Sequence, residues 1–446
     1  MKIIIAGAGE VGTHLAKMLS YEQHEITLVD NNEKKLAEIT NSADVMPMLG
    51  SLTSFDTLKR SGADRCDLFI AVSPLEQDNI LACTIAKGMG ARKSVARIDN
   101  NEYLQPNNKE VFIGMGIDYM FYPEKVAARE VITLLGHTST TEYVDFSGGH
   151  LTLVGFKLDH GSPLINKTLL EVTKDRSQLD YRTVAISRDE KTIIPRGDDY
   201  FKQGDMIYVI SNRHSQKEVM NFSGKVDVDV KNLMILGGSH IGRVIARELQ
   251  DSMNIKMVDY NSEKAYKLAE ILDKTLVINE DGRKLEVMVE EGLPNMDAFI
   301  ALTGRSETNI LAAMLAKKMG VKKVIAEVEN INYIGLAESV GIDTIINKKL
   351  ITASAMFRFT MNTDVQAIKC LNGCDAEVLE FIVKPDSPAT RGMIKHIHFQ
   401  RGAIVGGVVR GEKAFIASGT TELKAYDRVV VFALPEAIAK VGHFFE

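Results

Sequence analysis

The sequence is poor in several features that mark common classes of protein. Its 446 residues include no tryptophan, ten prolines and four cysteines, and its hydrophobic runs are short. The runs Ile3 to Ala6 and Val429 to Leu434 fall far below the ~18 residues that a membrane-spanning helix needs. The cysteines have neither zinc-finger nor redox spacing, so we expect free thiols in a reducing compartment. These absences exclude an integral membrane protein and a disulfide-stapled one.

An excess of positive charge is also missing. Lysine and arginine total 53 residues against 59 aspartates and glutamates, which gives a net charge of −6. Proteins that bind the phosphate backbone of nucleic acids need a basic surface, so nucleic acid is excluded as a partner. Met1 is followed at once by a strand-like run without the pattern of a signal peptide, and we therefore expect a cytoplasmic protein.

The chain contains an internal duplication. The segment 2–12 returns as 232–242, just after Lys231, with Gly7 matching Gly237 at an offset of 230, and 67–72 matches 297–302 at the same offset. The offset is 225 between Gly116 and Gly341, which indicates a five-residue insertion near 105–108 in the first copy. The later segments repeat more loosely. A constant offset across separated segments predicts the architecture A–B–A′–B′.

The periodicity of the two kinds of module predicts their folds. In the first A module, strand-length apolar runs at 2–6, 25–30, 44–49, 67–72 and 93–98 alternate with helical patterns near 11–20, 33–41, 54–61 and 77–89. This alternation predicts a doubly wound parallel sheet. The B modules are rich in short strands. We therefore expect an α/β protein with two Rossmann-like parallel-sheet domains, each followed by a small α+β domain.

The duplication also suggests domain limits. We predict parallel-sheet domains at 1–136 and 230–360, and small domains at 137–222 and 361–446. A helix follows each parallel sheet, over 124–135 and 348–360, and we interpret both helices as connectors. The segment 136–149 is rich in serine, threonine and glycine and is the best candidate for a linker.

A dinucleotide-binding fingerprint lies at the start of the first copy. Its glycines permit a tight turn, the approach of a pyrophosphate and close packing of helix on strand, and the helix start attracts anions. Asp30 ends the next strand, where a carboxylate can accept hydrogen bonds from a ribose and repel a 2′-phosphate. The pattern therefore predicts NAD(H) rather than NADP(H). The motif comprises Gly7, Ala8, Gly9, Glu10, Val11 and Gly12.

Two further strand ends of the first copy are candidates for the site. Ser73 and Pro74 follow the fourth strand at the carboxyl edge of the sheet, where ligands bind in doubly wound folds. Arg97 ends the fifth strand and either reaches a phosphate or forms an ion pair; the residues alone leave both roles open.

The second copy of the fingerprint is degenerate. Ser239 replaces the middle glycine, although the acid Asp259 remains, and Glu327 stands where the first copy has Arg97. A serine narrows the space for a pyrophosphate without closing it, so nucleotide binding by this copy stays open. The candidate residues here are Gly237, Gly238, Ser239, His240, Ile241 and Asp259.

Residues suited to catalysis are scarce. The pair His396 and His398 has no evident third metal ligand, and no Gly-x-Ser-x-Gly, Walker or zinc-protease pattern occurs. Hydride transfer needs an acid–base group beside the nicotinamide, and none is evident. We predict no catalytic or metal site and a nucleotide binder that is not an enzyme. The alternatives are an NAD(P)-dependent oxidoreductase and a ligand-binding domain of another transporter or channel.

The whole pattern resembles the TrkA family, the regulators of Trk-type potassium uptake built from RCK (KTN) modules. Besides the fingerprint and the duplication, the resemblance rests on B-module segments that recur in both halves. They lie at 161–169, 194–198 and 204–205, and return at 386–388, 418–420 and 426–427.

The resemblance implies a regulatory subunit on the cytoplasmic face of the membrane. Members of the family form a gating ring, here a homotetramer, under a potassium-translocating membrane protein of the TrkH type. The implied ligands are NAD(H), with ATP or ADP as further candidates. The nucleotide contacts carry over to 7–11, Asp30, Ser73, Pro74, Arg97 and Ile98, whereas Gly50 and Ser51 depart from the family pattern.

Overall fold

The described part of the chain forms two compact units. The computed structural model describes residues 1–20, 24–173, 181–189, 191–213, 215–224, 226–357, 359, 365–371, 374, 376–397 and 402–445. The first unit joins Met1–Val126 to Lys348–Asn362, and the second joins Ala127–Asn347 to Thr363–Glu446. Within the described residues, no helix is both long enough and apolar enough to cross a membrane.

The first unit is built on a six-stranded parallel sheet. Its strands are β1 (Lys2–Ala6), β2 (Glu25–Asp30), β3 (Met46–Leu49), β4 (Leu68–Ala71), β5 (Lys93–Arg97) and β6 (Tyr119–Phe121). Their order is β3-β2-β1-β4-β5-β6, so β1 pairs with both β2 and β4, and the order reverses between β1 and β4. Ligands of doubly wound folds bind at such a reversal, beyond the carboxyl ends of the strands.

Five helices connect these strands. They are α1 (Glu10–Ser20), α2 (Glu33–Thr40), α3 (Phe55–Arg60), α4 (Glu76–Met89) and α5 (Pro106–Gly114). The predicted strands and helices are all present, and β3 and β4 are each two residues shorter than predicted. The sequence patterns did not reveal β6 and α5, because β6 has only three residues and α5 buries none of its own.

A small antiparallel sheet follows in the second unit. After α6 (Pro123–Leu135) come β7 (Glu142–Phe146), β8 (Leu151–Lys157), α7 (Leu169–Thr173), β9 (Tyr181–Arg188), β10 (Lys191–Ile193), β11 (Met206–Asn212) and α8 (Gln216–Ser223). The strand order is β10-β9-β11-β8-β7. Because β8 and β11 occupy central positions, their apolar residues form the core of this sheet.

The second parallel sheet repeats the first. Its strands are β12 (Asn232–Leu236), β13 (Asn254–Val258), β14 (Leu276–Ile278), β15 (Ala298–Ala301), β16 (Lys323–Glu327) and β17 (Thr344–Ile346). Its helices are α9 (His240–Leu249), α10 (Ser262–Ile271), α11 (Leu285–Glu290), α12 (Ser306–Lys318) and α13 (Ile334–Ser339). The order β14-β13-β12-β15-β16-β17 is the order of the first sheet. The helix α14 (Lys348–Phe357) then returns to the first unit, where it packs on α1.

The last segment repeats the antiparallel sheet. It contains β18 (Val365–Cys370), β19 (Glu377–Ile382), β20 (Ala403–Arg410), β21 (Lys413–Ile416), β22 (Arg428–Ala433) and α15 (Pro435–Phe445), and the strand order is β18-β19-β22-β20-β21. Its topology is that of β7–β11. The two antiparallel sheets share one core, in which Leu153 and Tyr208 lie in one cluster with Val378 and Phe432. The predicted fold class is thus confirmed for both halves.

The predicted linker at 136–149 differs from the structure. Instead of a free loop, 137–141 is held by hydrogen bonds and 142–146 forms β7. The Thr138 hydroxyl accepts a hydrogen bond from the Val228 N–H at 2.7 Å, and the Lys323 ammonium donates to the Thr140 carbonyl at 2.5 Å. The hydroxyl-rich composition that suggests a linker therefore serves to fix this segment. The domain limits stay predictions, and the joint at 360–361 lies outside the described residues.

Candidate nucleotide-binding sites

The first glycine turn connects β1 to α1 and leaves open space beside its middle glycine. Gly7 has φ +114°, and a Cβ there would lie 2.9 Å from the Ser73 nitrogen. A Cβ on Gly12 would lie 1.8 Å from the Gly7 carbonyl oxygen, so the packing of helix on turn requires glycine. A Cβ on Gly9 would meet nothing within 4 Å. The backbone is therefore open at Gly9, where the fingerprint expects a pyrophosphate.

The carboxylate of Asp30 is fixed against this turn. Its Oδ2 accepts a hydrogen bond from the Ala8 N–H at 2.7 Å, and its Oδ1 accepts one from the Asn32 N–H at 2.8 Å. Because each carboxylate oxygen has a second lone pair, Asp30 retains capacity for further donors such as ribose hydroxyls. Its role toward a ribose stays a prediction.

A buried asparagine that the motif search did not single out joins two strand ends at this edge. Asn79 in α4 is fully buried. Its Oδ1 accepts from the Ser73 N–H at 2.8 Å, and its Nδ2 donates to the carbonyls of Ser73 and Arg97, both at 3.0 Å. The available signal was the matching pair Asn79 and Asn309 in the duplication. Asn309 makes the same contacts, to the backbone of Thr303 and the carbonyl of Glu327.

The other predicted residues of the first site differ in their placement. Pro74 is exposed, whereas Ser73 is buried, and the Ser73 hydroxyl donates to the Leu75 carbonyl at 3.1 Å. Val11 is half-buried on α1. Ile98 is fully buried, and its N–H donates to the Phe121 carbonyl at 2.8 Å, so it belongs to the core of the sheet.

Arg97 forms the ion pair that the sequence left as one of its two possible roles. Its Nη2 lies 3.2 Å from Asp99 Oδ1 and 3.4 Å from Glu124 Oε1. Its Nε is buried and has no hydrogen-bond partner among the described residues. The contact of Arg97 with a nucleotide phosphate stays a prediction.

A lysine from the far end of the chain reaches the same turn. Lys349 in α14 places its Nζ 3.0 Å from the Oε2 of Glu10, the first residue of α1. Beside them, burial first and then the charge of Lys349 lower the pKa of His14 to about 4. Sequence reasoning missed Lys349, because no spacing along the chain links residues 10 and 349.

The second glycine turn has the same backbone frame as the first. Gly237 has φ +99°, and a Cβ on Gly242 would lie 2.8 Å from the Gly237 carbonyl oxygen. The Gly238 N–H donates to Asp259 Oδ2 at 2.8 Å, as Ala8 does to Asp30. The duplication thus preserves the turn and the acid that orders it.

The polar groups of the second turn are more fully occupied. The Ser239 hydroxyl caps α9 by accepting a hydrogen bond from the Gly242 N–H at 3.2 Å, so one donor of the helix start is already used. Lys264 lies 3.2 Å from Asp259 Oδ2. Ile241 is buried in the core, while the exposed His240 contacts Arg243 at 3.3 Å. These contacts leave less anion-binding capacity than the first turn has.

In the part of the chain that the structure describes, neither metal ligands nor the buried thiols of Cys66 and Cys83 form a second kind of site. Over the described residues, no group of three or more His, Cys, Asp or Glu could hold a metal ion, and His398 lies outside those residues. Cys66 and Cys83 are buried free thiols, and burial raises the pKa of Cys66 to about 11. A thiol with such a pKa is a poor nucleophile at neutral pH.

The fold and the turns define a tandem α/β protein with one Rossmann-like, doubly wound domain in each half. Two doubly wound sheets each carry a glycine turn at the reversal of strand order, and each is followed by a small antiparallel sheet. The GsuK RCK domain has this fold, with a TM-score of 0.61 and 15% identity over 98% of this chain and 93% of that chain. The GsuK channel bound to NAD also has a TM-score of 0.61 and 15% identity, over 100% of this chain and 78% of the channel.

Sequence comparison identifies the family. The TrkA-N domain matches residues 3–123 and 233–348, and the TrkA-C domain matches 153–224 and 378–446. The Trk system potassium uptake protein TrkA of Vibrio alginolyticus is 32% identical over 97% of this chain and 95% of its own length. That of Halomonas elongata is 31% identical over 97% of this chain and 96% of its own length. This chain belongs to the TrkA family.

Proposed function

We propose that this chain is a nucleotide-binding regulatory subunit of a Trk-type potassium uptake system and is not an enzyme. Its relatives of similar length are named as Trk system potassium uptake proteins. The observation that carries the nucleotide-binding part is the first turn, where the open backbone at Gly9 adjoins the oriented carboxylate of Asp30. Regulation then requires only that ligand binding favour one conformation of the chain over another.

The ligand that fits this turn best is NAD(H), with ADP or ATP as competitors for the same groups. A pyrophosphate can accept hydrogen bonds from the start of α1, and Asp30 disfavours a 2′-phosphate. Further contacts would come from Ser73, Pro74 and Arg97. Solved structures of GsuK are described as bound to NAD in one case and to ADP in another, which supports both classes of ligand.

Membership of the TrkA family supports a proposal for the assembly. We propose a homotetrameric ring on the cytoplasmic face of the membrane, beneath a potassium-translocating protein of the TrkH type. The helix α6 is continuous from the first unit into the second, and α14 begins where the second parallel sheet ends. Both helices therefore provide covalent routes by which nucleotide at the first turn can affect the rest of the subunit.

Titration of the purified full chain tests the ligand. Isothermal titration with NADH, ADP and ATP should give binding that Asp30→Ala weakens at least about tenfold, since it removes a buried hydrogen-bond acceptor at the site. Asp259→Ala is the matched control, because Asp259 orders the second turn in the same way. Equal loss in both variants, or no nucleotide binding by the wild type, would contradict the assignment of the first turn.

Two further assays test the regulatory role. Incubation of NADH with candidate carbonyl compounds should leave its absorbance unchanged, whereas turnover would favour the oxidoreductase alternative. Co-expression with a potassium-translocating membrane protein should give co-purification and nucleotide-dependent potassium flux in proteoliposomes. Flux that responds equally in the wild type and in Asp30→Ala would contradict coupling through the first turn.

A further inference from the structure

We propose that Lys349 is a positioning residue of the first nucleotide site, where it raises nucleotide affinity by neutralising Glu10. The inference rests on the proposed function and adds a residue to it from the second half of the chain. The pair lies within the first unit, because α14 packs directly on α1. Its consequence is that nucleotide binding and the docking of α14 favour each other.

The contact has the geometry of a directed ion pair rather than a chance surface contact. Lys349 Nζ lies 3.0 Å from Glu10 Oε2, and only 9% of the lysine side chain is exposed, against 73% of the glutamate side chain. The lysine is therefore held by the packing of α14, while the glutamate at the open turn can move. Residues that follow Lys349 in α14, such as Ile351 and Ala353, are buried as well.

Electrostatics make Glu10 unfavourable for an anionic ligand unless its charge is balanced. Glu10 directly follows Gly9, the open position of the turn, so its carboxylate stands beside the expected pyrophosphate. A negative side chain in the first turn of a helix stabilises the helix dipole without ligand, but repels a bound phosphate. Lys349 offsets this repulsion. His14 does not, because a pKa of about 4 leaves it neutral at pH 7.

This arrangement couples nucleotide binding to the docking of α14 on α1 by thermodynamic linkage. If undocking α14 withdraws Lys349, nucleotide affinity falls, and by reciprocity nucleotide must stabilise the docked helix by the same factor. The charge at the turn thereby depends on the placement of a helix that follows the second parallel sheet. We expect this dependence to be stronger for ligands with more phosphate charge.

A double-mutant cycle on the full chain tests the proposal. We expect Lys349→Met to weaken NADH binding by about three- to tenfold at low salt, the range of a half-buried charge pair. Lys349→Arg should retain most of the affinity. Glu10→Gln should bind NADH more tightly than the wild type, and Lys349→Met should have a smaller effect in the Glu10→Gln background. High salt should shrink each difference.

A second readout separates this role from a purely structural one. NADH should slow amide exchange in 348–357 of the wild type, and less so in Lys349→Met. If Lys349→Met weakened NADH binding equally in the wild type and in Glu10→Gln, or if all variants bound NADH with unchanged affinity, the inference would be overturned. If Lys349→Met does not fold, Glu10→Gln and Lys349→Arg decide, and Glu10→Gln with wild-type affinity would overturn it. A wild type that binds no nucleotide would instead refute the proposed function.

Discussion

The two glycine turns share a backbone but differ in how many of their polar groups are already engaged. In both, a positive-φ glycine starts the turn and an aspartate at the end of the second strand accepts a backbone N–H. At the first turn, Gly9 faces open space. At the second, Ser239 caps the helix and Lys264 pairs with the aspartate. Turn geometry and capacity for an anion are therefore separable properties.

The comparison also shows which duplicated residues are structural. Asn79 and Asn309 make the same contacts in both copies, although the neighbouring glycine turns differ in how many of their polar groups already have partners. The same holds for the pairs Arg188–Asp205 and Arg410–Asp427, in which a buried carboxylate accepts two hydrogen bonds of 2.7–2.8 Å from the guanidinium. Residues retained with identical contacts in both halves serve the fold, and those that differ are the ones to test for function.

The largest expected effect concerns the duplicated ion pairs of the antiparallel sheets. Asp205→Ala should lower the free energy of unfolding by about 3–5 kcal/mol, because it removes a buried carboxylate that accepts two hydrogen bonds from the Arg188 guanidinium and one from the Lys202 N–H. Asp427→Ala should cost about 1 kcal/mol less, since 36% of the Arg410 side chain is exposed against 19% of Arg188. Urea unfolding of the two variants measures both values, and an equal or reversed order would contradict this difference between the halves.

The next effect distinguishes the glycines of the first turn. Gly12→Ala should lower stability by about 3 kcal/mol, because its Cβ would lie 1.8 Å from the Gly7 carbonyl oxygen. Gly242→Ala should cost less, since the equivalent distance is 2.8 Å. The control Gly9→Ala should change stability by less than about 0.5 kcal/mol while weakening NADH binding. Thermal unfolding and titration would contradict this scheme if Gly9→Ala unfolded the chain or bound NADH normally.

A smaller effect concerns acid stability, for which the two copies differ at one helix position. His14 has a folded-state pKa of about 4 against 6.5 for the free side chain, and Val244 occupies the equivalent position. Between pH 6.5 and 4 the unfolded chain binds a proton that the folded chain does not, so stability falls as pH falls through this window. At pH 5 the loss is about 2 kcal/mol. His14→Val should remove it.

Urea unfolding at pH 7.5 and pH 5 measures this contribution. The wild type and His14→Val share every other histidine, so the difference between their losses isolates position 14. The same loss in both proteins would mean that His14 is as easily protonated in the folded chain as in the unfolded one.

The smallest effect is a gain of function at the second turn. Ser239→Gly should free the Gly242 N–H and raise affinity for NADH there by about three- to tenfold, the worth of one helix-capping hydrogen bond. Titration in the Asp30→Ala background isolates this site from the first. A variant that binds no better than its parent would show that Lys264, rather than the serine, limits the second turn.

Much of the fold could be predicted from periodicity because its elements are local. The runs that become β1 and β2 are apolar and β-branched, and the parallel sheet that they join is buried on both faces. The three-residue β6 and the helix α5 were missed, since neither presents an apolar stripe of its own. The hydroxyls of Thr138 and Ser139 predicted a linker, but they bond to Val228 and Asp227.

The sequence by itself determined the duplication, the parallel sheets and the glycine turns, because each depends on residues close together in the chain. Only the tertiary structure decided which side chains meet at those turns. The Ser239 side chain caps the N-terminus of α9, and Asn79 joins two strand ends. Lys349 contacts Glu10, more than three hundred residues away in the chain. Such contacts depend on how helices pack, and packing brings together residues whose separation along the chain carries no periodic signal.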